Sequence, residues 1–205
     1  MSVLRIGALV EGEGDAVALP KLVHRVALRI GVANPVVVRP VIPSPASRLW
    51  KERSLEHQLD NLARQVRGGG ILVLLDCDWD GGCPKHDGPA WLKRAQTARP
   101  DLLIRLVLAH KEYESWFVAA AESLRGVRGL PDDLSSPANP EGIRGAKEWL
   151  TQQMPGRSPY SPVPDQAILT SVFDLDLARQ RSPSFDKCYR EISAMLHALT
   201  EASDA

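Results

Sequence analysis

The chain has 205 residues, of which 44% are hydrophobic and 24% are charged, as is ordinary for a globular domain. Lysine plus arginine and aspartate plus glutamate number 25 each, so the composition lacks the overall positive charge that supplies non-specific nucleic-acid affinity. It contains neither a long apolar run nor an N-terminal signal pattern. We therefore expect a soluble, cytoplasmic protein that does not enter a membrane.

Apolar segments alternate with segments of helical periodicity along the first 120 residues. Strands are predicted at 3–10, 36–42, 70–75 and 102–109, and helices at 16–30, 54–66, 90–98 and 112–120. This order predicts an α/β fold with a mostly parallel four-stranded sheet and helices on both faces. Pro40 indicates that the second strand lies at an edge or stops early. The glycine- and proline-rich residues 81–89 are predicted to form an irregular loop that acts as a lid.

Two regions are predicted from the change in composition near residue 126. Residues 1–125 form the α/β core, and residues 126–205, punctuated by prolines, form a helical extension packed on it. Within the extension, helices are predicted at 143–154 and 185–199, and Ser184 is expected to cap the second.

The first acidic motif is Glu11-Gly12-Glu13-Gly14-Asp15, between the first strand and the first helix. An acidic residue at a helix start is usually a cap, and that alternative stays open here. The motif lacks the third glycine of a dinucleotide fingerprint, and no glycine-rich loop leads into Gly-Lys-Ser/Thr. A Rossmann cofactor site and a P-loop are therefore not supported.

The second motif, Asp76-Cys77-Asp78-Trp79-Asp80, ends the most apolar strand. If the backbone stays extended, the three aspartates share one face. Oxygen ligands suit magnesium, manganese or calcium. A solvated acidic turn and a haloacid-dehalogenase-type nucleophile remain alternatives, whereas an EF-hand is excluded because its glycine and glutamate are missing.

Glu112 and Glu114 form the third motif, directly after the fourth strand. One of them can complement the helix dipole while the other faces the crevice, although both are also ordinary helix-start charges. Trp116 and Phe117 are expected in the core.

The cysteines suggest one further hypothesis, a metal site. Cys77, Cys83 and His86, with Cys188 as a remote fourth ligand, suggest a structural zinc site, but the spacing from Cys77 to Cys83 exceeds that of a zinc knuckle. We expect instead a buried Cys77 and an incidental Cys83 in a loop.

Together, acidic motifs after strands one, three and four resemble the TOPRIM domain of primases, topoisomerases and OLD-type nucleases. Glu11 with Gly12 and Asp15 matches its first motif, and Asp76 with Asp78 matches its second. Residues 110–117 and the Ser184-Phe185 pair look like a compact TOPRIM-like family that is often encoded beside ATPases. The resemblance covers about residues 3–120.

The resemblance implies a TOPRIM/Rossmann-like fold and Mg²⁺- or Mn²⁺-dependent chemistry on a phosphodiester. It implies Glu11 as general acid or base and Asp76 with Asp78 as metal ligands, all three being catalytic. Glu11 is itself a further candidate metal ligand, as are Asp15, Asp80, Glu112 and Glu114. Arg39, Lys51 and Lys85 are the candidate substrate-binding residues.

The leading hypothesis is a metal-dependent TOPRIM-type nuclease, the effector of a defence system that works with an ATPase. The expected partners are therefore nucleic acid and an ATPase, and a homo-oligomer is also considered. The alternatives are a non-catalytic TOPRIM-like interaction module and a phosphohydrolase that acts on small substrates.

Overall fold

The computed structural model describes residues 2–154 and 159–204, which fold around one parallel sheet. Its strands are β1 (Leu4–Val10), β2 (Val36–Pro43), β3 (Gly70–Cys77) and β4 (Leu103–His110). They lie in the order β2-β1-β3-β4, and every neighbouring pair is parallel. The predicted Rossmann-like α/β architecture is confirmed, and β2, which carries Pro40, lies at an edge.

The two central strands, β1 and β3, are buried on both faces. Every residue of β3 is buried, and in β1 only Arg5 is exposed. Runs of Val, Ile and Leu are typical of strands that are covered by helices on both sides. From β1 the chain passes to β2 on one side and then crosses to β3 and β4 on the other. The topological switch point, where ligands bind in open α/β sheets, therefore lies between β1 and β3.

Helices cover both faces of this sheet. One apolar core joins it to α1 (Glu13–Arg29) and α9 (Pro183–Asp204), and the other joins it to α3 (Ser54–Gln65) and α4 (Pro84–Ala98). Trp116 and Phe117 are fully buried in the first core, which confirms their prediction as core residues.

Shorter helices complete the fold. They are α2 (Ala46–Leu49), α5 (Ser115–Ala119), α6 (Ala146–Gln152), α7 (Ala167–Val172) and α8 (Leu175–Arg181). Short 3-10 helices span Ala121–Leu124, Val127–Gly129 and Pro140–Gly142, and a π-helical turn spans Pro162–Gln166. Most of them lie in the predicted extension, of which residues 155–158 and 205 are outside the described part. Over the described residues, none of the helices combines the length and apolarity that a membrane crossing requires.

The predicted irregular loop at 81–89 is wrong from residue 84 onwards, because α4 begins at Pro84. Proline is tolerated at the first position of a helix, where its missing N–H has no helical partner to lose. The carboxylate of Asp87 accepts hydrogen bonds from the backbone N–H of Cys83 (2.9 Å) and from Trp79 Nε1 (3.2 Å). These bonds fix the helix start, so only a short turn separates the acidic strand end from α4.

The predicted cap of the last helix is also wrong. α9 starts at Pro183, and the hydroxyl of Ser182 accepts the backbone N–H of Phe185 (3.0 Å), as a helix cap does. Ser184 instead lies inside the first turn. Its hydroxyl accepts a hydrogen bond from Trp116 Nε1 (2.9 Å) and donates one to Glu141 (2.6 Å).

Candidate active site

The acidic motifs meet at the carboxyl edge of the sheet, on both sides of the switch point. Glu11 follows β1, Asp76 lies near the end of β3, and Glu112 and Glu114 follow β4. The pairing of Val10 with Leu74 and of Asp76 with Ala109 brings the three strand ends to similar heights. The parallel order therefore gathers residues that are far apart in the sequence.

Asp76 is the central carboxylate of the site and is 8% exposed. Its Oδ1 accepts the backbone N–H of Tyr113 (3.0 Å), and its Oδ2 lies 3.9 Å from Lys147 Nζ. Burial, together with the charges of Asp15 and Glu114, raises the pKa of Asp76 well above its usual value. The carboxyl is thus costly to ionise unless further positive charge approaches it.

Glu11 lies across the switch point from Asp76. Its two carboxylate oxygens are 2.9 and 3.2 Å from the backbone N–H of Ala46, at the start of α2. Burial raises the pKa of Glu11, the bond from Ala46 lowers it, and the charge of Asp78 raises it further.

Asp15 is buried at the first turn of α1, as the helix-cap alternative predicted. Its Oδ2 accepts the backbone N–H of Gly12 (2.8 Å), and its Oδ1 accepts a hydrogen bond from Gln166 Nε2. Burial raises the pKa of Asp15 against the effect of the Gln166 bond. Asp15 therefore caps the helix and also contributes to the field around Asp76.

Glu112 and Glu114 are tied to the extension through Lys147 on α6. Lys147 Nζ lies 2.9 Å from Glu112 Oε1 and 3.4 Å from Glu114 Oε2. Glu114 is 1% exposed and accepts a hydrogen bond from the hydroxyl of Tyr160 (2.9 Å). Burial raises the pKa of Glu114 to about 7, although the charge of Lys147 opposes this effect.

The local backbone explains why Lys147 reaches the carboxylates. Gly145 has a φ of +74°, a conformation that costs glycine little, and α6 begins directly after it. The backbone N–H of Ala146 donates to Glu112 Oε2 (2.6 Å) while Lys147 Nζ donates to the other oxygen. Glu112 thus holds both the start of α6 and its first charged side chain.

Asp78 and Asp80 are exposed and line a cavity of about 410 Å³ at the ends of β3 and β4. Lys111, Glu112 and Arg144 line the same cavity. Carboxylates and basic side chains thus occur together at its wall. This composition suits an anionic group that is bound with a cation.

The chemistry of the donors fits a hard divalent ion, because Glu11, Asp76 and Asp78 offer only carboxylate oxygens. Among residues 2–154 and 159–204, however, no group of three or more His, Cys, Asp or Glu side chains is arranged to hold a metal ion. Lys147 occupies the space between Asp76, Glu112 and Glu114. Of Glu11, Asp76 and Asp78, the two that do not pair with Lys147 in the described part of the chain are Glu11 and Asp78.

The zinc alternative conflicts with the positions of the cysteines. Cys77 is 2% exposed on one face of the sheet, whereas Cys188 is fully buried in the core of the other face. Burial raises the pKa of Cys77 to about 12, which disfavours the thiolate form that a metal would bind. The prediction that Cys77 is a buried core residue is confirmed.

The three candidate substrate-binding residues do not form one patch. Arg39 lines a groove between α1 and β2, at one edge of the sheet, and Lys85 lines a cleft beside β4, at the other edge. Lys51 is exposed between α2 and α3. The lysine and arginine that line the acidic cavity are instead Lys111 and Arg144.

The cleft beside β4 has a volume of about 480 Å³ and lies between α4 and α9. Its floor is formed by Leu92, Leu106 and Leu108, and Lys187 and Arg190 lie at its rim. His110 lines both this cleft and the acidic cavity. Because the cleft is mainly apolar and contains none of the central carboxylates, we place the candidate active site at the acidic edge.

Three side chains that contact the carboxylates were not predicted from the sequence. Lys147, Tyr160 and Gln166 bind Glu114, Glu112 or Asp15, and all three belong to residues 126–205. Their segments carry no motif, and the only available signal was a lysine at the start of a predicted helix. The extension therefore supplies one wall of the site.

Comparison with known protein families identifies the family to which this chain belongs. The model of the family described as "Domain of unknown function (DUF4276)" matches residues 10–193, and the chain belongs to this family. Searches of the curated proteins and of the solved structures found no match. The matched range includes the acidic motifs as well as Lys147, Tyr160 and Gln166.

Proposed function

We propose that this member of the family is a metal-dependent phosphodiesterase of the TOPRIM type that acts on nucleic acid. The proposal is supported by the position of Glu11 directly after β1 and of Asp76 and Asp78 at the end of β3, on the two sides of the switch point. The buried charge of Asp76 is only loosely balanced, by Lys147 at 3.9 Å. Such a surplus of negative charge favours the binding of a cation.

The residues of the chain have distinct roles in this proposal. Asp76 and Asp78 would hold the divalent ion, which when bound supplies positive charge to the phosphodiester and to the attacking water. Glu11 accepts the proton of that water as its oxygen forms a bond to phosphorus. Its raised pKa favours proton uptake, and the Ala46 N–H holds the carboxylate in one orientation. The bond to the leaving oxygen then breaks, and that oxygen takes up a proton.

Lys111 and Arg144 support a polyanionic substrate. Both line the acidic cavity beside Asp78 and Glu112, where they can contact phosphate oxygens next to the scissile bond. The chain carries no net charge, so its affinity for nucleic acid rests on this local contact. An ATPase that delivers the substrate, as the TOPRIM resemblance suggests, belongs to the same proposal.

The test uses the purified chain with Mg²⁺ or Mn²⁺, on DNA and on RNA, alone and with an ATPase encoded beside it. Glu11→Gln is expected to lower the rate by about 100- to 10,000-fold, the usual contribution of acid–base catalysis. Asp76→Asn should also lower the rate, because it removes a charged ligand of the ion. Asp101→Asn is the matched control, because Asp101 is exposed at the opposite end of β4 and pairs with Arg99 (2.6 Å). Intact substrates under all conditions, or variants that cleave like the wild type, would refute the proposal.

A second candidate, a non-catalytic interaction module, is favoured by one observation. Lys147 already neutralises part of the acidic cluster, and no ready-made metal site is present among the described residues. An interaction module has no need of a tight metal site, so the affinity for Mn²⁺ separates the two functions. Cleavage of p-nitrophenyl phosphate without cleavage of nucleic acid would favour a phosphohydrolase of small substrates instead.

A further inference from the structure

Lys147 makes the closest ion pairs of the acidic site. Its ammonium lies 2.9 Å from Glu112, 3.4 Å from Glu114 and 3.9 Å from Asp76. These three oxygens come from the ends of two neighbouring strands, whereas the lysine comes from α6 in the extension. The extension thus places a single positive charge where three carboxylates converge.

We propose that Lys147 is a built-in replacement for a metal ion, so that the site binds one divalent ion and not two. The inference deepens the proposed function and rests on it for the ion that is bound. In this proposal Glu11, Asp76 and Asp78 would hold that ion, and Lys147 takes the place of a second ion at Glu112 and Glu114.

The charges explain why a second ion is excluded. Two cations about 4 Å apart repel each other strongly in a partly buried site, where water screens them poorly. Lys147 Nζ lies within 3.9 Å of Glu112, Glu114 and Asp76. Because the ammonium already fills the space between these carboxylates, a divalent ion would have to displace it from Glu112 and Glu114.

The hydrogen bonds around Lys147 also support its role in place of a second ion. Glu112 binds the backbone N–H of Ala146 (2.6 Å) as well as Lys147 Nζ, and Glu114 is fixed by Tyr160 (2.9 Å). The bonds from Ala146 and Tyr160 use one oxygen of each glutamate, and the other oxygen of each, Glu112 Oε1 and Glu114 Oε2, faces Lys147. A metal could use the oxygens that face the lysine only after the ammonium is removed.

The experiment counts Mn²⁺ ions bound per chain, from the electron paramagnetic resonance signal of free Mn²⁺. We expect one ion for the wild type and two for Lys147→Met, which removes the charge but keeps a similar length and apolar stem. Lys147→Arg keeps the charge and should bind one. Lys187→Met is the matched control, because Lys187 pairs with Glu191 on the surface of α9 and should also leave the count at one.

The outcomes separate this inference from the proposed function. If the wild type binds no ion but Lys147→Met binds one, the replacement stands and the metal-dependent function fails. If both bind one ion, the function stands and the replacement is overturned, and two ions in the wild type overturn it as well. If neither binds an ion, both proposals fail.

Folding of the variant provides a second measurement. If Lys147→Met is unfolded in EDTA by circular dichroism, addition of Mn²⁺ should restore its fold, because an ion then balances Asp76, Glu112 and Glu114. An unfolded variant that Mn²⁺ does not rescue would overturn the inference.

Discussion

Glu114→Gln tests the electrostatics of the site without any substrate or metal. Glu114 is almost completely buried, and burial raises its pKa from 4.5 to about 7. A group whose pKa is raised by folding stabilises the folded protein below its unfolded-state pKa, and this contribution is lost as the pH rises through the folded-state pKa. For Glu114 the loss should therefore extend from about pH 4.5 to about pH 7.

The two pKa values correspond to roughly 3 kcal/mol of unfolding free energy. Because glutamine carries no charge at any pH, the free energy of unfolding of the wild type should fall by that amount relative to Glu114→Gln across this range. The glutamine can still accept the hydrogen bond from Tyr160, so the comparison reports mainly the charge. Since the charge of Glu114 also raises the pKa of Asp76, the difference includes the coupling between these two carboxyls.

The measurement is urea unfolding in EDTA, followed by circular dichroism at several values between about pH 5 and about pH 8. Glu148→Gln is the control, because Glu148 is exposed on the same helix as Lys147, and its profile should parallel that of the wild type. Parallel profiles of Glu114→Gln and wild type, within about 1 kcal/mol, would refute the reasoning. Glu114 would then be ionised throughout, because its pairing with Lys147 outweighs its burial.

Two further substitutions test the packing around the site, each by urea unfolding. Gly14→Ala should destabilise the protein by about 1–3 kcal/mol, since the new methyl group would lie 2.1 Å from Gln166 Oε1. Gly88→Ala is the control, because its new methyl group meets no atom within 4 Å. It should change the free energy of unfolding by less than about 1 kcal/mol. Equal effects of these two would contradict a close contact between α1 and the π-helical turn. Ser184→Ala should cost about 1–3 kcal/mol, because it leaves the buried N–H of Trp116 without its acceptor, and a loss below about 0.5 kcal/mol would show that the indole has another partner.

The sheet and the meeting of its acidic strand ends can be predicted from the sequence because both depend on local pattern and topology. A buried run such as residues 71–75 identifies a central strand, and parallel strands bring their carboxyl ends to one edge. The sequence alone therefore predicts that Glu11 and Asp76 lie near each other. Pro40 allowed either an edge strand or a strand that stops early, and β2 lies at the edge and continues to Pro43.

The wall supplied by the extension cannot be predicted in this way. Lys147, Tyr160 and Gln166 reach the carboxylates through tertiary packing, and their segments have no periodicity that fixes where a side chain points. The start of α4 escapes prediction for a different reason. Pro84 comes shortly after Gly81 and Gly82 and resembles a helix breaker. Proline at the first helical position is, however, compatible with the helix.

The cost of the buried carboxylates bears on the choice between an enzyme and an interaction module. Asp15, Asp76 and Glu114 all have raised pKa values because burial disfavours their charge, so each lowers the stability of the fold near neutral pH. An interaction surface needs exposed groups such as Asp78. Binding a partner through such a surface does not offset the free-energy cost of burying the charge of Asp76. Asp76→Asn keeps an oxygen acceptor for the Tyr113 N–H, so it should be more stable than the wild type in metal-free buffer at neutral pH. A variant that gains stability while it loses catalysis is expected only where the charge serves a reaction or its ion.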